Sequence, residues 1–296
     1  MQPDFTTTLT LEAPAKVNLY LRVVGRRDDG YHDLITWMQK LDLCDVLTLR
    51  LTHQPGIRLA CVDLPNDASN LAWKGAAAVL RHSRHSATVG VEIRLVKNIP
   101  VAAGLGGGSS DAGTIMRGLN HLLANECSEG ELLALARSVG ADVPFFVCEH
   151  DAVWATGIGD IMVPTASLGQ HTIILVNPGF AVSTKEVFES FALTPMVNTS
   201  ILPGSLLTRA VPLSFAEMTN DLEQVTSRKY PEIGEMRNDL LDAGAMAVLM
   251  SGSGPTVFGI FPDVDFPDPA VLVDKVAKLR QRYHNRIYIT RARAGA

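Results

Sequence analysis

Residues 101–113 read VAAGLGGGSSDAG: four of the five residues from Gly104 to Gly108 are glycine, and Ser109, Ser110 and Asp111 follow. Glycine opens backbone angles closed to other residues and lets a ligand reach main-chain N–H groups. A helix starting near Ser109 adds unpaired N–H groups and the positive end of its dipole, so the pattern suits an anion, phosphate above all. Ser109 and Ser110 can cap that helix or donate to phosphate oxygens, and Asp111 suits its first turn. A flexible turn is the plainer reading, but a turn needs fewer glycines and rarely runs straight into a patterned helix. The cradle is not a Walker A loop, because no Gly-Lys-Ser/Thr follows. A dinucleotide fingerprint would need glycine where Ser109 stands, and no βαβ unit surrounds the loop. Nor do the VAIK, HRD and DFG motifs of protein kinases accompany it.

An acid and a base stand in apolar settings. ADVPFF places Asp142 beside Val143, Pro144, Phe145 and Phe146, and APAKV places Lys16 beside Pro14, Ala15 and Val17. An isolated buried charge is costly unless paired or neutralised. If the two meet, the ammonium favours the ionised carboxylate. The carboxylate can then take a proton from a substrate hydroxyl while the lysine steadies the developing oxyanion. Taken singly, Asp142 also reads as a turn or cap residue and Lys16 as a lysine whose head reaches solvent. SGSGP at 251–255 is likewise open between a bare hairpin turn and a second small-residue wall beside the phosphates.

The elements that must position these residues follow from periodicity. Leu9, Leu11 and Ala13, then Val17, Leu19, Leu21 and Val23 beyond Pro14, alternate as strands. Leu47, Leu49 and Leu51 form another period-two run, and VEIRLV at 91–96 a further one. LPNDASN reads as a loop ending at a cap for the helix LAWKGAAAVLRH. Ile115, Met116, Leu119, Leu122 and Leu123 recur at helical spacing after the glycines, and ELLALARSV is a second helix stopped by Gly140. Strands followed by helices imply α+β. A Pro- and polar-rich zone at 164–220 interrupts the pattern apart from the strand TIILV. AMAVLM and TVFGIF then flank SGSGP as strands, Leu272, Val276, Leu279 and Tyr283 give a helix, RIYIT a final strand, and RARAGA a loose tail.

The totals bound the function. The 296 residues suffice for two domains, 47% are hydrophobic and 19% charged, and the net charge of −5 argues against a nucleic-acid partner. Any anion must therefore be held by local geometry. Cys44, Cys61, Cys127 and Cys148 lack zinc-type spacing and read as reduced thiols. The start MQPDFTTTLT lacks a signal-peptide pattern, and no apolar run approaches a membrane span of ~18 residues, so a cytoplasmic protein is expected. With no apolar helix face standing out, a monomer is expected.

Three segments together resemble the GHMP small-molecule kinases: APAKVNLYL at 13–21, PVAAGLGGGSSDAG at 100–113 and MSGSGPTVFGIF at 250–261. RRDDGYHDL, VGADVPFF, ATGIGD and NDLE, with GGGSSDA itself, are similar to the branch whose acceptor is a cytidine diphosphate derivative of methylerythritol, on the non-mevalonate route to isoprenoid precursors. The matches run from about residue 13 to 261. The resemblance implies an α+β fold, with an N-terminal domain like ribosomal protein S5 domain 2 (1–166) and a ferredoxin-like C-terminal domain (167–296), and an active site in the cleft between them. It implies transfer of the ATP γ-phosphoryl group to a hydroxyl, with Mg²⁺ carried on the nucleotide phosphates. Lys16 and Asp142 match the catalytic pair. Pro100, Val101, Ala102 and Ala103, then Gly104, Leu105, Gly106, Gly107 and Gly108, closed by Ser109 and Ser110, match the ATP-phosphate loop. Asn70, Leu71 and Lys97 match the adenine contacts. Tyr31 and His32 match the positions that stack on and read the cytosine, Phe188 its opposite face, Asn18 the methylerythritol and Thr184 the diphosphate. No dedicated acid for the metal emerges, and Ser110 is the nearest donor. Lys185 departs from the smaller residues usual at its position.

Two other readings are open to the sequence. A GHMP kinase for homoserine, mevalonate or a sugar would have no use for the aromatic–imidazole pair in DGYH. A non-catalytic nucleotide- or RNA-binding module would have no use for a lysine–aspartate pair and would prefer a basic face.

Overall fold

The computed structural model describes residues 3–169, 171–191, 214–262 and 269–294. The expected helix position Leu272 carries a side chain outside the described set. The chain forms two compact units interleaved along the sequence: residues 1–15, 44–101 and 106–149 in the first, and 16–43, 102–105 and 150–296 in the second.

Two long strands, β1 (Thr8–Arg26) and β2 (His32–Thr52), contribute to both units. In the first unit Val46–Thr52 of β2 pairs antiparallel with β4 (Gly90–Val96), and β3 (Gly56–Cys61) pairs parallel with β4. Register sets Leu47 opposite Leu95, Leu49 opposite Ile93 and Leu51 opposite Val91, so the alternating residues share one buried face. Four helices belong to this unit: α1 (Leu71–His82), α2 (Gly107–Leu122), α3 (Glu129–Val139) and α4 (Val143–Val147). The helical stripe Ile115, Met116, Leu119 and Leu122 joins Leu49, Ile93 and Val79 in one core. Truncating a buried leucine of this kind to alanine costs about 2–5 kcal/mol. Asn70 caps α1 as expected, its Oδ1 accepting from the Ala72 N–H at 2.9 Å. Ser128 and Glu131 form a reciprocal capping box at the start of α3, and Gly140 ends it.

The second unit holds two groups of strands. Thr36–Gln39 of β2 pairs with β5 (Ala152–Thr156), which turns back into β6 (Ile161–Pro164), and β8 (Thr219–Asn220) lies parallel to Tyr20–Leu21 of β1. A separate antiparallel sheet has the order β11 (Ile287–Arg291), β7 (His171–Val176), β10 (Val257–Pro262), β9 (Ala247–Met250). Among the described residues its helices are α5 (Thr184–Ser190), α6 (Glu223–Lys229), α7 (Glu232–Asp242) and α8 (Pro269–Tyr283). Ile233, Met236 and Leu240 of α7 and Val276 and Leu279 of α8 pack with Ile174, Val248 and Phe261.

Two expectations change. β1 runs unbroken through Pro14 over 19 residues; proline is tolerated in a strand where its missing N–H is not needed by the ladder. The terminal RARAGA is anchored as far as Arg293. Ala292 bridges to Leu41, the Arg293 N–H donates to the Lys40 carbonyl at 2.9 Å, and its carbonyl accepts from Gln39 Nε2 at 2.8 Å. The fully buried Gln39 amide needs such partners.

Candidate active site

Lys16 is not a surface lysine. It is 4% exposed, and its ammonium donates to Asn18 Oδ1 at 2.6 Å. Both lie on β1 two residues apart and so face the same way. Asn18 Nδ2 donates on to Thr36 Oγ1 at 2.8 Å, and that hydroxyl donates to the Tyr20 carbonyl at 2.8 Å. The chain of donors fixes both ends of the Asn18 amide and holds the ammonium in place. The Lys16 N–H also binds the Leu105 carbonyl at 2.9 Å, tying β1 to the glycine stretch.

SGSGP packs against the glycine stretch. Ser251 Oγ donates to the Gly104 carbonyl at 2.9 Å. A Cβ on Gly104 would stand 2.3 Å from the Ser251 carbonyl oxygen, so this glycine is required by the facing backbone as well as by its φ of +76°. A Cβ on Gly252 would stand 3.4 Å from the Lys16 ammonium and 3.5 Å from Asn18 Oδ1. The second small-residue loop is thus a wall beside Lys16. Asn220 holds it, donating to the Met250 and Gly252 carbonyls at 2.7 and 2.8 Å. Thr184 joins it through Ser253, hydroxyl to hydroxyl at 2.8 Å.

His32 and Phe188 stack, their ring centroids 5.2 Å apart at 29°. Burial, and secondarily the Arg26 charge, hold the His32 imidazole below its ordinary 6.5. At neutral pH it is an uncharged ring with one donor and one acceptor nitrogen. Tyr31 beside it is 59% exposed. Lys185 points to solvent, 3.8 Å from Glu189.

In the first unit the helix after the glycines begins at Gly107, two residues before the expected start, with Gly106 at its N-cap in the left-handed region at φ +70°. Pro100 and Val101 lie in this unit, whereas Ala102, Ala103, Gly104 and Leu105 lie in the second. Ala102 takes a left-handed φ of +53°, a strained conformation for a residue with a Cβ. Ser110 Oγ and Asp111 Oδ1 are buried without a hydrogen-bond partner among the described residues. Burial pushes the Asp111 carboxyl up to about 7, against the pull of the Lys97 charge. Asn70 and Leu71 stand at the start of α1, and the Leu71 side chain lies 3.4 Å from where a Gly108 Cβ would be. Lys97 turns its ammonium inward, to Asp45 and to Asp111 Oδ2, the latter at 2.7 Å. Asp142 sits at the N-cap of α4 but its side chain makes no capping hydrogen bond there, so the plain cap reading does not describe it.

Sequence reasoning missed Asp45, Thr36, Asn220 and Ser251 as individual contributors. Asp45 had a local signal, an acid interrupting the apolar strand LDLCDVLTL, and Asn220 opens the NDLE signature. Among the described residues no group of three or more His, Cys, Asp or Glu could hold a metal ion, and no helix is long and apolar enough to cross a membrane.

The GHMP kinases N terminal domain matches residues 70–150 and the GHMP kinases C terminal region matches residues 207–284. The 4-diphosphocytidyl-2-C-methyl-D-erythritol kinase of Desulfotalea psychrophila is 55% identical over 259 residues, 86% of this chain and 86% of that protein. That of Geobacter metallireducens is 46% identical over 256 residues, covering 86% and 89%. A crystal structure of 4-(cytidine 5'-diphospho)-2C-methyl-D-erythritol kinase matches at a TM-score of 0.77 and 33% identity, over 97% of this chain and 100% of that one. Homoserine kinase from Cytophaga hutchinsonii shares the fold at a TM-score of 0.68 and 20% identity, over 99% and 97% of the two chains. The fold is that of the GHMP kinases, small-molecule kinases of mixed α+β architecture with two sheets. Within that class, the chain belongs to the 4-diphosphocytidyl-2-C-methyl-D-erythritol kinase family.

Proposed function

We propose that this chain transfers the γ-phosphoryl group of ATP to the 2-hydroxyl of 4-diphosphocytidyl-2-C-methyl-D-erythritol, a step toward isoprenoid precursors. The observation that carries the reading is the buried Lys16 ammonium, held by Asn18 at 2.6 Å and walled by Gly252. It is supported by the identity to kinases of that name.

The Asp142 carboxylate orients the acceptor hydroxyl and takes its proton as the oxygen–phosphorus bond forms. The bond from the γ-phosphorus to the bridging oxygen breaks, and ADP leaves with the electron pair. Lys16 offsets the negative charge that gathers on the transferring group. Most of the acceleration comes from positioning and charge stabilisation. The glycine loop and the start of α2 receive the triphosphate, with Asn70 and Leu71 toward the adenine. Tyr31 stacks on the cytosine, and the neutral His32, braced by Phe188, reads its edge. Asn18 stands toward the methylerythritol and Thr184 toward the diphosphate.

The Ser110 hydroxyl fits a divalent cation carried on the nucleotide phosphates. It is buried in the first turn of α2 and unpartnered among the described residues. Ser110 would hold Mg²⁺ there. When bound, the ion supplies neutralising charge to the phosphate oxygens.

An ADP-release assay across acceptors tests the reading. ADP release is expected with the cytidine diphosphate compound and not with homoserine, mevalonate or a sugar. The reverse preference would move the chain to another GHMP activity, and salt-sensitive RNA binding without turnover would move it out of enzymes.

A further inference from the structure

The side chain of Lys97 is 5% exposed and lies between two carboxylates more deeply buried still, Asp45 at 0% and Asp111 at 1%. Each comes from a different element: Asp45 from β2, Lys97 from the end of β4, Asp111 from α2. The other oxygen of Asp45 is also engaged. Its Oδ1 accepts from the Asn98 N–H at 2.6 Å and the Ile99 N–H at 2.8 Å. Those two residues lead into the glycine stretch, and Asp111 follows it. The ammonium itself lies against the first residue of α2, since a Cβ on Gly107 would stand 3.4 Å from Lys97 Nζ.

We infer that Asp45 and Lys97 form a positioning clamp for the ATP-phosphate loop, fixing its entry at Asn98 and Ile99 and its exit at Asp111. Two consequences follow from charge and geometry. The main-chain N–H groups of the first turn of α2 reach a phosphate only if that turn is held, and the Lys97–Asp111 pair holds it to the sheet. The same ammonium offsets two carboxylates that would otherwise face a polyanion from beneath its binding loop. The ammonium is thereby committed to the protein and not to the adenine.

This inference rests on the kinase reading above. Its test measures affinity for the ATP–magnesium complex without acceptor, by calorimetry, alongside KM for both substrates and thermal melting. Lys97→Met is expected to weaken nucleotide binding by at least about tenfold, a fraction of the ~100-fold that a 1 Å misplacement can cost. KM for the cytidine acceptor should stay within about twofold. Lys97→Met/Asp111→Asn, which removes the uncompensated carboxylate, should regain most of the lost affinity. Asp45→Asn keeps one oxygen for the two N–H groups and loses the charge facing Lys97. It should show the same selective loss of nucleotide affinity, and it carries the test if Lys97→Met does not fold. Lower melting temperatures with unchanged nucleotide affinity would overturn the clamp, as would equal effects on both substrates or no rescue in the double variant. Wild-type protein that turns over the acceptor while these variants bind ATP normally would overturn the clamp alone. Wild-type protein that binds no ATP would overturn the kinase reading with it.

Discussion

A buried ammonium must be held by acceptors, and one of them at Lys16 is Asn18, itself held by Thr36, whose hydroxyl donates to the Tyr20 carbonyl. The same economy applies at His32, where burial and the Arg26 charge disfavour the protonated ring. A histidine whose folded pKa lies below its unfolded value contributes stability fully above 6.5, lost as pH falls through 6.5 toward the folded value. NMR titration should therefore find His32 protonating below 6.5, and Arg26→Ala should move that midpoint upward; a wild-type midpoint at or above 6.5 would contradict the neutral-ring role. The motif residues Lys16, His32 and Gly104 were legible because chemistry, composition and motif all singled them out. Thr36 was not, since nothing in ITWMQ marks one threonine as the acceptor for an amide eighteen residues earlier.

At the scale of elements, the glycine loop is shaped by what it packs on as much as by what it would bind. Gly104→Ala would place a methyl 2.3 Å from the Ser251 carbonyl oxygen, in a backbone conformation with φ +76°. The conformation alone costs about 1–3 kcal/mol. The facing loop, with Gly252 beside Lys16, would have to retreat. Turnover should fall with a melting temperature lowered by several degrees, whereas Gly130→Ala, with nothing within 4 Å of its Cβ, should leave both nearly unchanged. Equal behaviour of the two variants would show that the close approach of loops does not matter. Helices α1, α2 and α3 and strands β4, β7, β9, β10 and β11 were readable from periodicity and caps. β3 and the β5–β6 hairpin were not. Only Leu59 and Cys61 of β3 are buried, and β6 has no buried residue, so their patterns are too weak to stand out locally. The clamp of Asp45, Lys97 and Asp111 joins three elements through pairings that local periodicity does not encode.

For the molecule as a whole, the proposed function makes a net charge of −5 coexist with two anionic substrates, ATP and a cytidine diphosphate compound. The net charge does not favour long-range attraction of such anions, so the proposed function leans on main-chain donors and individually placed cations. Lys16 and Lys97 are both buried and both assigned to named acceptors, the amide of Asn18 and the carboxylates of Asp45 and Asp111. The proposed function needs a proton acceptor at the hydroxyl, and Asp142, at the head of α4 without a capping bond to it, is the residue proposed for that task. The most direct measurement is single-turnover transfer from ATP to 4-diphosphocytidyl-2-C-methyl-D-erythritol by Asp142→Asn, with ATP affinity measured on the same sample. Transfer should slow by at least about a hundredfold, the low end for loss of a general base, while ATP affinity stays within about twofold. Transfer at a near wild-type rate would contradict the assignment of Asp142.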